Sequence, residues 1–227
     1  MMTEFIQTLE QEFLQHGNPQ IASEQKAYMI DQFEFFGIKT PDRRRIQKPF
    51  LVKEYLPPKE ELSALVKTLW NKPQRELHMF AQELVFKYIK QFEKEDMDLL
   101  EFMVTHQSWW DSVDYIAVHL IGNYFKKFPE NRKQYVDKWL QSDHLWLQRC
   151  ALLFQLQYKT DMDTELLSSI INSLLGSKEF FINKAIGWVL RQYSRTNPEW
   201  VQDFVSQTDL HSLSRKEALR IIKKGNS

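Results

Sequence analysis

Glycine is scarce in this sequence, with six in 227 residues, where average usage of about 7% would give roughly sixteen. A phosphate-binding loop or a dinucleotide fingerprint places two or three glycines within eight or so residues. Here no two glycines lie closer than eleven positions, so both are excluded. The glycine-dependent turns of a many-stranded β protein are missing as well. The lone cysteine, Cys150, rules out an internal disulfide and a cysteine-based zinc site. The six histidines are scattered, with no HExxH and no i,i+4 pair, so no metal site and no cofactor are expected. MMTEFIQTLEQEF carries acids where a signal peptide carries bases. The longest apolar stretches, such as YIAVHLIG at 115–122, are too short and too polar to span a bilayer. The expectation is a cytoplasmic protein without a membrane partner, helical and aromatic-rich, forming one domain over 1–227.

Net charge is also lacking, since 30 basic side chains face 30 acidic ones. The charges are nevertheless segregated: residues 1–36 sum to −5, 37–90 to +6, 91–130 to −5 and 131–227 to +4. A fold that gathers the two basic blocks on one face can bind a polyanion despite the neutral total. Ordinary solvated helix faces would give the same pattern.

What the sequence has in abundance is helix punctuation. Asn18-Pro19 has the form of an N-cap followed by a proline in the first turn, which opens a helix expected to run to Gly37. Thr40-Pro41-Asp42 repeats the device, and further starts fall between Pro58 and Ser214, among them Asp96, Trp109, Asp163 and Asn197. Apolar residues recur at three- and four-residue spacing, as in Leu62, Leu65, Val66 and Leu69, and no run alternates like a strand. Tyrosines end four successive segments at Tyr88, Tyr124, Tyr158 and Tyr193, separated by 36, 34 and 35 residues. Ala81, Ala117 and Ala151 each stand seven residues before the first three. An all-α chain with a period of about 35 residues and two helices per unit is the signature of a curved α-solenoid of HEAT-like repeats.

Three inner helices carry unusual side chains. In SWWDSVD, a helix from Trp109 buries Val113, Ile116, Ala117 and Leu120, and leaves Trp110 and Asp114 as i,i+4 neighbours on an adjacent face. An indole beside a carboxylate suits a cation, although an aromatic at this spacing can equally be core. HLWLQRCALLFQLQY at 144–158 is apolar nearly all round, and Arg149 is its only charge. That guanidinium requires a partner: Asp114 or another acid, or a phosphate from outside. In KEFFINKAIGWVLRQYSR, Lys184, Trp188, Arg191 and Arg195 form a basic stripe behind Phe180 and Phe181, and Gly187 implies close approach of another helix or of a ligand. At GIKTPDRRRIQK, Thr40, Arg43 and Arg44 on a first helical turn could hold a phosphate or form a solvated basic face.

The segments GIKTPDRRR, SWWDSVD, WLQRCALLFQLQYK and SKEFFINKAIGWVLRQY occur in this order over nearly the whole chain. Together they resemble the AlkD-type DNA alkylation-repair glycosylases of bacteria. The resemblance implies hydrolysis of the N-glycosidic bond of cationic alkylated purines, N3-methyladenine and N7-methylguanine among them, in duplex DNA and without base flipping. It implies Asp114 as the catalytic carboxylate, Trp110 and Trp188 as aromatic walls, Arg149 near the DNA backbone, and Tyr28 in EQKAYM at the DNA surface. A monomer acting on DNA at the nucleoid is expected. A DNA-binding repeat protein without catalysis, or a HEAT-type scaffold, would share the repeat pattern.

Overall fold

The computed structural model describes residues 2–222. Among them every regular element is helical, apart from one isolated parallel bridge between Glu34 and Gln74, as the periodicity requires. The described residues pack as two compact units, divided between residues 93 and 94.

The first unit holds α1 (Met2–Gln15), α2 (Pro19–Tyr28), α3 (Thr40–Gln47), α4 (Lys59–Trp70) and α5 (Arg75–Phe86). Asn18 opens α2 as its spacing predicts, accepting the N–H groups of Gln20 and Ile21 at 3.0 and 3.1 Å. Leu62, Leu65, Val66 and Leu69 bury one face of α4, each such side chain contributing about 1.5–3 kcal/mol. The helix expected to reach Gly37 stops at Tyr28. Ile30 and Asp31 turn into the left-handed region, with φ of 55° and 57°. The buried Glu76 carboxylate then captures the N–H groups of Phe36, Gly37 and Ile38 at 3.1, 2.9 and 3.1 Å. A carboxylate arriving from α5 therefore shapes this connection, which local sequence does not encode. Thr40 is likewise the first residue of α3 and not its cap; Lys39 stands at the cap position without a side-chain bond.

The second unit begins with α6 (Asp96–Thr105). A continuous run follows, made of α7 (Trp110–Tyr115), a π turn (Ile116–Ile121) and α8 (Gly122–Lys127). Then come α9 (Arg132–Gln141), α10 (Leu145–Leu153), α11 (Thr164–Ser173), α12 (Phe180–Tyr193), α13 (Pro198–Gln207) and α14 (Ser212–Ala218). Asp163 caps α11 through Leu166 N–H at 2.9 Å, and Asn197 caps α13 through Trp200 N–H at 3.0 Å. Helices α7, α10, α12 and α14 touch in succession, while α6, α9, α11 and α13 pack against them. Two stacked layers of this kind are the packing of an α-solenoid. α10 sits centrally, in contact with α6, α7, α9, α11 and α12, which explains why it is apolar nearly all round.

The periodic tyrosines fasten the repeats. Tyr88 Oη donates to Pro57 O at 2.5 Å, Tyr124 Oη to Lys94 O at 2.8 Å, and Tyr158 Oη to Gly122 O at 2.6 Å. Each bond reaches back 30 to 36 residues. The fourth, Tyr193, instead packs edge-on against Trp200 of α13. The alanines at 81, 117 and 151 are all buried.

Burial pushes the hydroxyls of Tyr88, Tyr124 and Tyr158 up to about 12, above the ordinary value of about 10. A folded pKa above the unfolded one gives stability that is intact below pH of about 10 and is lost as pH rises through about 12. Tyrosinate absorbance in an alkaline titration should therefore show these three ionising together with loss of helical circular dichroism. Tyr124→Phe should lower stability at neutral pH by about 0.5–1.5 kcal/mol and weaken that alkaline dependence.

Candidate active site

α7 opens at Trp109, whose backbone is extended before the first turn. Its indole packs 5.8 Å from the Trp146 ring and 5.6 Å from Phe181, so it joins an aromatic cluster at the end of α7 rather than a simple core stripe. Val113, Ile116, Ala117 and Leu120 are fully buried as read, which turns Trp110 and Asp114 onto the neighbouring face. Both are half-buried.

Arg149 of α10 meets Asp114 with a two-pronged contact, Nε to Oδ1 at 2.7 Å and Nη2 to Oδ2 at 2.9 Å. Its Nη1 donates to the carbonyl of Phe181 at the start of α12. Its guanidinium also lies 5.8 Å from the Phe181 ring centre. One side chain thus ties α7, α10 and α12 together. The question left open by the sequence, acid or phosphate, resolves to the acid. Arg149 is only 3% exposed, and a guanidinium turned inward onto a carboxylate is a poor surface contact. In this structure Arg149 holds Asp114.

Asp114 keeps 16% of its side chain exposed. Burial pushes its carboxyl above the ordinary carboxylate range; the hydrogen bonds and charge of Arg149 oppose this, and the charge of Asp111 adds to it. The result is a carboxylate that is largely dry, fixed in orientation by its fork of donors, and still partly exposed.

On α12, Trp188 is half-buried and Phe180 is 59% exposed at the helix start. Lys184 and Arg191 do not stand as free cations. Both bind Glu217 of α14, Lys184 Nζ at 2.9 Å. Arg220 Nη1 approaches the same carboxylate at 3.5 Å. Gly187 explains how α14 comes so near: a Cβ there would lie 2.6 Å from Glu217 Cβ and 3.0 Å from Ser214 O. The close approach inferred from this glycine is to a helix. Glu217 was not legible beforehand, because RKEALR reads as an ordinary polar helix end.

In the first unit, Tyr28, Thr40 and Arg43 line one cleft of about 290 Å³ together with Gln25, Glu76 and Met79. Tyr28 is 71% exposed, suited to a surface contact. Arg43 is buried, bonded to Gln47 Oε1 at 2.6 Å and Glu83 Oε1 at 2.9 Å, so its charge is directed inward and not to a surface phosphate. Arg44 stays largely exposed while touching Glu83 at 3.1 Å. Burial raises the Glu83 carboxyl, but the charges and hydrogen bonds of Arg43 and Arg44 outweigh it and hold it below the ordinary range. Among the described residues no group of histidines, cysteines or acids is placed to hold a metal ion, and no helix is long and apolar enough to cross a membrane.

The model of one protein family, DNA alkylation repair enzyme, matches residues 9–222. The chain belongs to that family. A solved structure of a predicted DNA alkylation repair enzyme from Enterococcus faecalis is 32% identical, covers 92% of this chain and 97% of its own, and gives a TM-score of 0.85. No curated protein sequence matches significantly. A role in DNA alkylation repair follows for this family member, with DNA as the implied substrate.

Two substitutions check the packing of this site. Arg149→Ala should cost about 3–5 kcal/mol at neutral pH, because it strands a buried carboxylate. Without Arg149 the Asp114 carboxyl moves still further up, so the deficit should shrink as pH falls and Asp114 takes a proton; denaturant unfolding at pH 7 and pH 5 measures this. Gly187→Ala, which in an open helix would stabilise by about 1 kcal/mol, should instead lower the melting temperature, overpacking of this kind costing about 1–3 kcal/mol.

Proposed function

We propose that this family member is a monofunctional DNA glycosylase that hydrolyses the N-glycosidic bond of positively charged alkylated purines, N3-methyladenine and N7-methylguanine, in duplex DNA. The observation that carries the reading is the Asp114 carboxylate, held by Arg149 and still partly exposed.

An N3- or N7-alkylated purine is already cationic and departs as a neutral base, so no general acid is required. As the C1′–N bond lengthens, its electron pair leaves with the purine and positive charge grows on the deoxyribose. That charge is what the site must stabilise. Asp114 supplies a fixed negative charge, and the faces of Trp110 and Trp188 supply electron-rich walls. Water then adds its oxygen to C1′ and gives up a proton, for which a carboxylate with a raised pKa is a competent acceptor. The products are an abasic sugar, the neutral methylated base and one proton.

Arg149 has two opposed effects. It reduces the field that Asp114 exerts, yet it favours the ionised form in a place where burial favours the neutral one. Stabilising charge on the sugar needs no pocket that reads the base edge, which supports action without flipping. Tyr28, Thr40, Arg44, Phe180 and Phe181 serve as contacts to the duplex around the lesion.

Methylated duplex incubated with the protein should release free 7-methylguanine without a strand nick and without a borohydride-trappable adduct. Asp114→Asn should slow single-turnover release by about 100-fold or more while duplex binding persists; an unchanged rate would remove Asp114 from catalysis. Because Asp114 acts ionised and its carboxyl is pushed up, the acidic limb of the rate profile should lie above the ordinary carboxylate range.

A further inference from the structure

Glu217 is a buried carboxylate that the catalytic proposal does not use. It projects from α14 into the space left by the missing side chain of Gly187, and its own side chain is only 8% exposed. Three cations converge on it: Lys184, Arg191 and Arg220. One carboxylate cannot neutralise three positive groups, so among the described residues the cluster keeps a surplus of two charges. The surplus is felt within it, since burial first, and then the charges of Arg191, Arg220 and Arg149, lower the Lys184 ammonium from its ordinary value.

The cluster is layered. Glu217 and Arg191 lie beneath, with side chains 8% and 17% exposed, whereas Lys184 and Arg220 remain 40% and 57% exposed. One cation on α12 and one in the turn that follows α14 are thus tethered to one anchor while facing solvent. Tethering removes part of the side-chain entropy that a flexible lysine or arginine loses on binding, and the surplus charge calls for an anion from outside.

We propose that Lys184 and Arg220, spaced by Glu217, form a clamp for one phosphodiester of the DNA backbone, with Glu217 as the positioning residue. The clamp rests on the duplex-DNA reading above and extends it to Glu217 of α14 and to Arg220 in the turn after it, neither of which carried a sequence signal. Arg220 contributes a planar fork of donors and Lys184 a point charge, the two forms in which proteins meet phosphate oxygens.

The salt dependence of binding to a short undamaged duplex tests it. The slope of log K against log salt should fall by about 0.9 for loss of one phosphate contact. Arg220→Ala should lose that amount and Arg220→Lys should retain it, while Lys216→Ala, an exposed cation on the neighbouring α14, should leave the slope unchanged. Glu217→Gln should also flatten the slope, although it makes the protein one unit more positive; a merely structural glutamate would lower the melting temperature and leave the slope equal or steeper. An Arg220→Ala slope equal to that of the parent, or an equal loss in Lys216→Ala, would overturn the clamp and leave the glycosylase reading intact. A parent protein that binds no duplex would overturn both. Inorganic phosphate exchanged for chloride at constant ionic strength separates the occupants: phosphate that raises the melting temperature of the parent but not of Arg220→Ala, with no effect on DNA binding by either, would assign the clamp to free phosphate and overturn the backbone contact.

Discussion

The contact on which this site depends is the fork of Arg149 around Asp114. A carboxylate taken out of water tends to neutralise itself by binding a proton, and a neutral carboxyl would offer nothing to a growing cation. Arg149 opposes that tendency with two hydrogen bonds from a charge that is itself nearly dry. Burial of both groups carries a desolvation penalty comparable with their attraction, so the pair is poor evidence of net stability. Its value is positional. Because the same guanidinium also bonds the first turn of α12, the orientation of Asp114 and the placement of the Trp188 helix are set by one residue.

Much of the fold was legible because it is local. Asn18, Asp163 and Asn197 act at helix starts through bonds two or three residues long, and such bonds leave a signature in neighbouring residues. The tyrosine period was legible for another reason: three of the four tyrosines, Tyr88, Tyr124 and Tyr158, do the same thing, donating to a carbonyl of an earlier segment. The segment from Met29 to Lys39 was misread because the group that shapes it, Glu76, lies about 40 positions away. The order of Trp110 with Asp114, then Arg149, then Trp188 could be read as coincident features of successive inner helices. Their pairing could not, since Asp114 and Arg149 are 35 residues apart and other acids were available in the sequence. Arg43 was misjudged on the same ground, its partner Glu83 lying 40 residues on.

The charge pattern gains meaning at this scale. The basic blocks are not smooth positive surfaces. Arg43 and Arg44 meet on Glu83, and Lys184, Arg191 and Arg220 meet on Glu217. In each case one partly or fully buried glutamate organises more cations than it can neutralise. A protein can therefore have zero net charge and still present small, fixed islands of positive charge, which favours contact at chosen phosphates over loose attraction to any polyanion.

The π turn between Asp114 and Tyr124 bears on how the two ends of one helix are indexed to each other. Ile116–Ile121 takes up one more residue than an α turn would over the same rise, and nothing in IAVHLI betrays it. Each residue of an α-helix advances the side chains by about 100°. Without the extra residue, the part of the helix after it would be rotated by that angle relative to Asp114. Asp114, paired with Arg149, and the tyrosine that fastens α8 to Lys94 could then not both face their partners. The inserted residue works as a phase correction, and it lets an acid paired with α10 and a hydroxyl bonded to Lys94 share a single continuous helix.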